Sequence, residues 1–169
     1  MSVLPADVTL RDVIPGDEGM VVHFVRELAI YEKLEHKATG TPEMFARALF
    51  GAPPRVFAMI VEDHTAKQGA TPIGLALYYF NFSTFMAQPG LYLEDIFLME
   101  EHRGRGIGRA IFRKLASRAL DQGCARMEWS VLDWNAPAVT FYRALGAVGM
   151  DDWTVQRLQG ETLARVAGR

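Results

Sequence analysis

Tyr92-Leu93-Glu94-Asp95-Ile96-Phe97-Leu98-Met99, then Glu100-Glu101-His102, then Arg103-Gly104-Arg105-Gly106-Ile107-Gly108-Arg109, leads into an amphipathic stretch that ends near Leu120. A strand, a glycine-rich turn and a helix start in that order build an anion cradle. Gly104, Gly106 and Gly108 lack a Cβ, so backbone N–H groups stand open to a closely approaching anion. The helix N-terminus adds partial positive charge, and Arg103, Arg105 and Arg109 add full charges. The pattern predicts a phosphate-bearing ligand. It is not a Walker loop, because no Lys-Ser or Lys-Thr follows the glycines. Nor is it a dinucleotide fingerprint, because the last glycine gap is wrong; Glu128, near the distance for a ribose-binding acid, does not compensate.

The rest of the chain bounds the setting. Its 169 residues are one domain by length, 1–169, half of them apolar, with a net charge of −2. That balance argues against a nucleic-acid surface or a disordered tail. Basic residues gather instead around 103–118, as one anionic ligand requires. The lone Cys124 excludes an internal disulfide and fits a reducing compartment. With no long apolar run and no signal-like N-terminus, the expectation is a cytoplasmic protein that does not engage a membrane. His23, His36, His64 and His102 are scattered without ligand spacing, so no metal is expected.

Periodicity gives an alternating α/β order. Strands are expected at Val8–Arg11, Val56–Glu62, Ile73–Phe82, Tyr92–Met99, Arg126–Leu132 and Trp153–Leu158, with a polar hairpin turn at 64–71. Ile73–Phe82 is apolar on both faces and reads as a central strand. Helices are expected after Pro15-Gly16-Asp17, with Val21, Phe24, Val25 and Leu28 inward, and from Thr41-Pro42 to Phe50, with Thr41 as N-cap. Further helices are expected at Ile107–Leu120, with Ile107, Ile111, Leu115 and Ala119 inward, at 135–145, and at 159–167.

Two motifs carry a resemblance. Arg103, Gly106 and Gly108 spell Arg-x-x-Gly-x-Gly, and Trp134-Asn135-Ala136-Pro137-Ala138-Val139-Thr140-Phe141-Tyr142 reads as a capped short helix bearing a Phe-Tyr pair. In this order and separation they resemble the acyl-CoA loop and the following helix of the GNAT (GCN5-related N-acetyltransferase) superfamily. Leu-Tyr-Leu-Glu-Asp-Ile-Phe-Leu, Arg-Gly-x-Gly-Ile-Gly, Trp-Asn-x-Pro and Ala29-Ile30-Tyr31-Glu32 narrow it to the diamine/polyamine (spermidine/spermine) and thialysine N-acetyltransferase branch. The likeness runs from about Val8 to the C-terminal helix. It implies an α/β GNAT fold, with a mixed, mostly antiparallel sheet of about six to seven strands flanked by about four helices. It also implies acetyl-CoA as co-substrate and a homodimer, for which the apolar tract Phe80–Met86 offers material.

The resemblance assigns roles residue by residue. Ile96, Phe97 and Leu98 would pair with the pantetheine amides and supply an oxyanion donor. Arg103 through Arg109 would hold the pyrophosphate, and Asn135, Pro137, Ala138 and Tyr142 would complete the cofactor contacts. Transfer from a thioester to an amine needs the ammonium proton removed, the carbonyl polarised and the thiolate protonated. Glu94 would take the amine proton, through water, and Tyr142 would protonate the thiolate. On a regular strand only one of Glu94 and Asp95 faces the amine, which leaves Asp95 a supporting role. No Ser-His-Asp or Cys-His set is placed for a covalent route, so direct transfer in a ternary complex is expected.

Tyr31, Glu32, Glu94, Glu128, Trp129, Ser130 and Asp152 are the substrate candidates, their carboxylates suiting a small cationic amine. One departure bears on which amine. The polyamine enzymes carry an Asp-Pro-Trp-like patch where this chain has Ser83-Thr84-Phe85, so a lysine-like or thialysine-like amino acid, or a small diamine, becomes comparable to a long polyamine. Two rivals stand beside this reading: a protein lysine or N-terminal acetyltransferase, and a non-catalytic acyl-CoA-binding sensor.

Overall fold

The computed structural model describes residues 4–65 and 69–169. Part of the expected 64–71 turn lies outside the described residues. The chain divides into two compact units, residues 1–130 and 131–169.

In the first unit the elements run β1 (Val8–Asp12), α1 (Glu18–Glu32), α2 (Pro42–Phe50), β2 (Phe57–Asp63), β3 (Thr71–Ser83), β4 (Gln88–Leu98), α3 (Ile107–Asp121) and β5 (Met127–Trp129). The strands form one sheet in sequence order, antiparallel from β1 to β4 and parallel between β4 and β5. β3 is central, and Ile73 through Tyr78 are buried without a break, as a strand covered on both faces requires. One face carries a core of Leu75, Leu77, Phe97, Ala58 and Ile60 against Val21 and Phe24 of α1 and Leu49 of α2. Val25 and Leu28 pack at its margin. The inward stripe of α3 is the expected one, Ile107, Ile111, Leu115 and Ala119, widened by Ala110 and Phe112.

Local chemistry sets the boundaries. Thr41 Oγ1 accepts from Met44 N–H at 3.4 Å and Pro42 opens α2, as its missing N–H allows. Asp17 precedes α1, but its carboxylate serves Arg11 at 2.6 Å and the Ile14 N–H at 2.8 Å rather than the helix. Arg11 also pairs with Glu62 at 2.8 Å, so one guanidinium joins β1, β2 and the start of α1. Arg118 on α3 reaches Asp12 at 2.6 Å and lies over the Tyr78 ring, fixing that helix to the sheet.

In the second unit α4 (Ala136–Ala144) and α5 (Gly160–Val166) follow the sequence expectation. Two strand expectations are corrected. Trp153–Leu158 is irregular, and the fifth strand is Met127–Trp129 rather than Arg126–Leu132, giving five strands among the described residues instead of six to seven. Alternating apolar residues such as Trp153 and Val155 satisfy a strand pattern, but a strand forms only where a ladder partner exists, and 153–158 has none.

The Phe24 ring, 1% exposed, lies between the two helices and the sheet with its centroid 6.2 Å from that of Phe97. Phe24→Ala is expected to cost about 3–5 kcal/mol. Urea unfolding would read this as a lower midpoint at unchanged slope; a loss under about 1 kcal/mol would show that this ring does not anchor α1.

Candidate active site

The cradle begins where β4 loses its partner. β5 pairs with β4 only at Leu91, Leu93 and the Tyr92 between them, opposite Met127 to Trp129. Past that point no strand among the described residues lies on this side of residues 94–98. Met99 N–H donates to Ile73 on β3 at 3.0 Å, and Leu98 C=O accepts from Arg103 Nε at 2.9 Å on the opposite side. By strand alternation the backbone groups of Ile96 and Leu98 face the open edge. Those of Phe97 face β3, and its ring is in the core, 8% exposed.

A β-bulge marks the same place. Leu77 lies opposite Asp95 and Tyr78 opposite Leu93, so Glu94 is the extra residue. The expectation of a regular strand therefore fails at the decisive position. A bulge inserts one residue and re-aims the side chains around it. Glu94 is exposed, while Asp95 falls on the face of Leu77 and is largely covered. Burial first, then the charges of Glu94 and Glu32, push the Asp95 carboxyl up to about 6. Burial also raises Glu32, at the last turn of α1. Glu32 of α1 and Glu94 of β4 thus both act on Asp95 beside the open edge, and the Asp95 carboxyl changes its protonation near neutral pH.

The loop itself follows. Gly104 and Gly106 have φ of +76° and +80°, a left-handed backbone that a side chain would strain, and Gly106 is the N-cap of α3. Ile107 is buried and anchors the helix start, Gly108 and Arg109 lie in the first turn, and Arg109 is exposed. Arg103 and Arg105 both make contacts within the protein. Besides bonding Leu98, Arg103 sits over the rings of Tyr31, 4.9 Å from the centroid, and Phe97, at 5.8 Å. Arg105 pairs with Asp7 and, at 2.8 Å, with Asp63. Neither acid was a candidate from sequence, because their partner is about forty or more residues distant.

The remaining substrate candidates divide. Tyr31 and Glu32 end α1; the Tyr31 ring lies under the Arg103 guanidinium, and the charge of Glu32 acts on Asp95. Glu128 accepts from Asn81 Nδ2 at 3.1 Å and pairs with Arg126 at 2.9 Å. Trp129 meets Phe112 edge-on with centroids 5.0 Å apart, and the Ser130 hydroxyl bonds that of Tyr92 at 2.8 Å. In the second unit, Asn135 Oδ1 accepts from Ala138 N–H at 3.3 Å and Pro137 lies in the first turn of α4. The Phe141 and Tyr142 rings, centroids 5.5 Å apart, share that helix, Gly146 takes the left-handed φ of +92° beyond it, and Asp152 is exposed in the irregular stretch. Among the described residues no three His, Cys, Asp or Glu side chains cluster to hold a metal ion, and no helix is long and apolar enough to cross a membrane.

The raised Asp95 gives a pH dependence with a definite sign. The native state holds its proton to about pH 6, whereas the unfolded chain releases it near 3.8. Between those values folding binds a proton, so this group costs stability as pH rises, by at most about 3 kcal/mol above pH 6. Asp95→Asn is therefore expected to gain stability over wild type progressively from pH 4 to 6 and to hold that gain at pH 7. Denaturant titrations at each pH would read it; a difference that does not vary with pH would mean Asp95 is not shifted.

Comparison with known proteins agrees with this arrangement. Residues 23–147 match the profile of the Acetyltransferase (GNAT) family. A thialysine N-epsilon-acetyltransferase of Bos taurus is 38% identical over 97% of this chain and 99% of its own length. An L-ornithine N5-acetyltransferase of Arabidopsis thaliana is 26% identical over 93% of this chain and 86% of its own. An integron cassette protein from V. cholerae shares the fold with a TM-score of 0.77 at 24% identity, over 96% of this chain and 99% of that one. The open β4 edge, the glycine cradle and these likenesses converge: the chain belongs to the GNAT family and is an N-acetyltransferase.

Proposed function

We propose that the enzyme moves the acetyl group of acetyl-CoA to the primary amine of a small cationic substrate, by direct transfer in a ternary complex. The observation that carries this reading is the open edge of β4 beyond Leu93, which begins at the exposed, bulged Glu94 and runs into the left-handed glycines that open α3. An extended ligand with amides at one end and a pyrophosphate at the other fits an open strand edge followed by a helix N-terminus. Three acids beside that edge suit a cation. The family match crosses the boundary between the two units, which supports one acetyltransferase domain over 1–169.

In this reading the N–H groups from Gly104 to Arg109 receive the pyrophosphate, with Arg109 as the exposed cation of that turn, while Asn135, Pro137 and Ala138 shape the second cofactor-binding segment. Ile96 and Leu98 pair with the pantetheine amides, and an N–H on this edge stabilises the developing oxyanion. Glu94 takes the ammonium proton, through water. The freed amine nitrogen then bonds to the acetyl carbon, the carbon–sulfur bond breaks, Tyr142 gives its phenolic proton to the departing sulfur, and the extra proton on the acetylated nitrogen returns through water to restore the phenol. Glu32 and Tyr31 receive the distal part of the substrate. Asp95 adds negative charge above pH 6 and withdraws it below, so the attraction for a cation weakens in acid.

For the amine itself, a lysine-like amino acid or short diamine is the better fit. Ser83-Thr84-Phe85 replaces the acid-bearing patch of polyamine enzymes, and the names of the bovine and Arabidopsis relatives specify acetylation of amino acids. A homodimer is part of the proposal: on the β3–β4 hairpin Phe82, Phe85 and Met86 are exposed, Phe85 to 93%.

The deciding experiment is release of free CoA from acetyl-CoA against thialysine, lysine, ornithine, putrescine, spermidine and a basic peptide. Turnover is expected for an amino acid or short diamine ahead of spermidine; activity confined to the peptide would move the substrate class to proteins. Tyr142→Phe is expected to keep acetyl-CoA affinity and lower kcat on the order of 10²-fold; unchanged kcat would remove the phenol from the mechanism. Glu94→Gln is expected to be slow at neutral pH and to recover partly as alkali deprotonates the amine. A wild-type-like pH profile would argue that Glu94 takes no proton.

A further inference from the structure

Arg105 lies between the two left-handed glycines of the cradle, the place where a free guanidinium would meet a phosphate. Its side chain turns the other way. Nη1 donates to Asp63 Oδ2 at 2.8 Å, and Nη2 pairs with Asp7. His102 Nδ1 is 3.1 Å from the same Nη1 and 3.3 Å from Asp63 Oδ2.

Neither acid belongs to the loop: Asp63 is the last residue of β2, and Asp7 immediately precedes β1. Asp63 ends β2 opposite Val8, is 3% exposed, and its Oδ1 accepts from the Thr65 N–H at 2.8 Å and the Thr65 hydroxyl at 2.6 Å. Those bonds, with Arg105 next, hold its carboxyl far below the usual carboxylate range, so it stays ionised. Asp7 is tied to the same corner, its carbonyl accepting from His64 N–H at 2.7 Å. The carboxylates are therefore fixed first, and the arginine brings the loop to them. Arg103 grips the loop from the opposite side through Leu98 and Tyr31.

We propose that Arg105 is a positioning residue, with Asp63 at the end of β2 and Asp7 just before β1 as its anchors: their ion pairs fix the backbone at 104–106 in its anion-receiving form. A buried carboxylate, the wrong charge for a phosphate site, thereby strengthens cofactor binding. The inference rests on the reading of this cradle as the acetyl-CoA site. It opposes a direct contact between the Arg105 guanidinium and phosphate, and the two make opposite predictions for Asp63. Were Arg105 a ligand held back by its acids, neutralising Asp63 would free the guanidinium and tighten binding. As an anchor, neutralising Asp63 loosens the loop and weakens binding.

The test compares wild type, Arg105→Gln, Asp63→Asn, Asp7→Asn and the Arg105→Gln/Asp63→Asn double variant. It measures CoA affinity by calorimetry and the separate KM values for acetyl-CoA and amine, well below each variant's melting temperature. Arg105→Gln and Asp63→Asn are each expected to weaken CoA about tenfold, and the double variant to be little worse than either, as for residues acting as one unit. Asp7→Asn, at the more exposed anchor, moves the same way by less and serves if Asp63→Asn folds poorly. KM for acetyl-CoA should rise while KM for the amine and kcat stay near wild type, a split that general destabilisation does not produce. Tighter or unchanged CoA binding in both aspartate variants, with Arg105→Gln alone weakened, would overturn the anchor. Failure of wild type itself to bind CoA would instead overturn the cofactor reading.

Discussion

Only three consecutive residues of β4 pair with β5, and the rest of the site depends on that brevity. Parallel strands joined by a helix continue side by side unless something parts them, and here the Glu94 bulge stands immediately after the last shared pair. The extra residue reverses the alternation, so Leu91 turns its N–H toward β5 while, further on, Ile96 and Leu98 turn theirs to an edge with no partner. That edge leads straight into the left-handed glycines and the α3 N-terminus. Extended backbone donors, helix-end donors and acidic side chains therefore follow one another within a single stretch of chain.

Charge is distributed around this stretch in a way that residue counting misses. Three arginines in seven residues suggest a site built on full positive charges. Two of them are engaged by the protein itself: Arg103 by Leu98 and two aromatic rings, Arg105 by two acids. In the proposed reading, what the loop chiefly offers an anion is a set of oriented N–H groups whose geometry those arginines maintain. Such donors need little rearrangement when a ligand arrives, and their orientation matters more than their number. The carboxylates of α1 and β4 stand in the opposite relation. The charges of Glu32 and Glu94 add to burial in raising Asp95.

Local signals were legible wherever a single element suffices. Thr41 and Asn135 cap their helices, the α3 stripe is inward, and β3 is buried on both faces, because capping and periodicity act within a few residues. The glycine cradle was legible for the same reason, since positive φ at Gly104 and Gly106 is a property of glycine itself. What escaped involves distant partners. The Glu94 bulge is defined by register against β3, the Asp95 environment by Glu32 on a helix more than sixty residues away, and the Arg105 anchors by the far end of the sheet. The Trp153–Leu158 pattern shows the converse failure, an alternation without a neighbour to bond. Glu128, a substrate candidate in sequence, is held by Asn81 and Arg126.

An unpartnered strand edge inside a sheet is also a hazard, because its free N–H and C=O groups are a template on which another chain can add. A site that must leave such an edge open for its ligand needs some other protection against self-association. The bulge breaks the straight run that an incoming strand would need, and the charges of Glu94 and Asp95 disfavour an apolar intruder. Arg103 already occupies the last carbonyl, which shortens the usable edge further. The features proposed to suit this edge to a cationic amine and an extended ligand thus also guard it against aggregation, and neutralising them would trade solubility as well as chemistry.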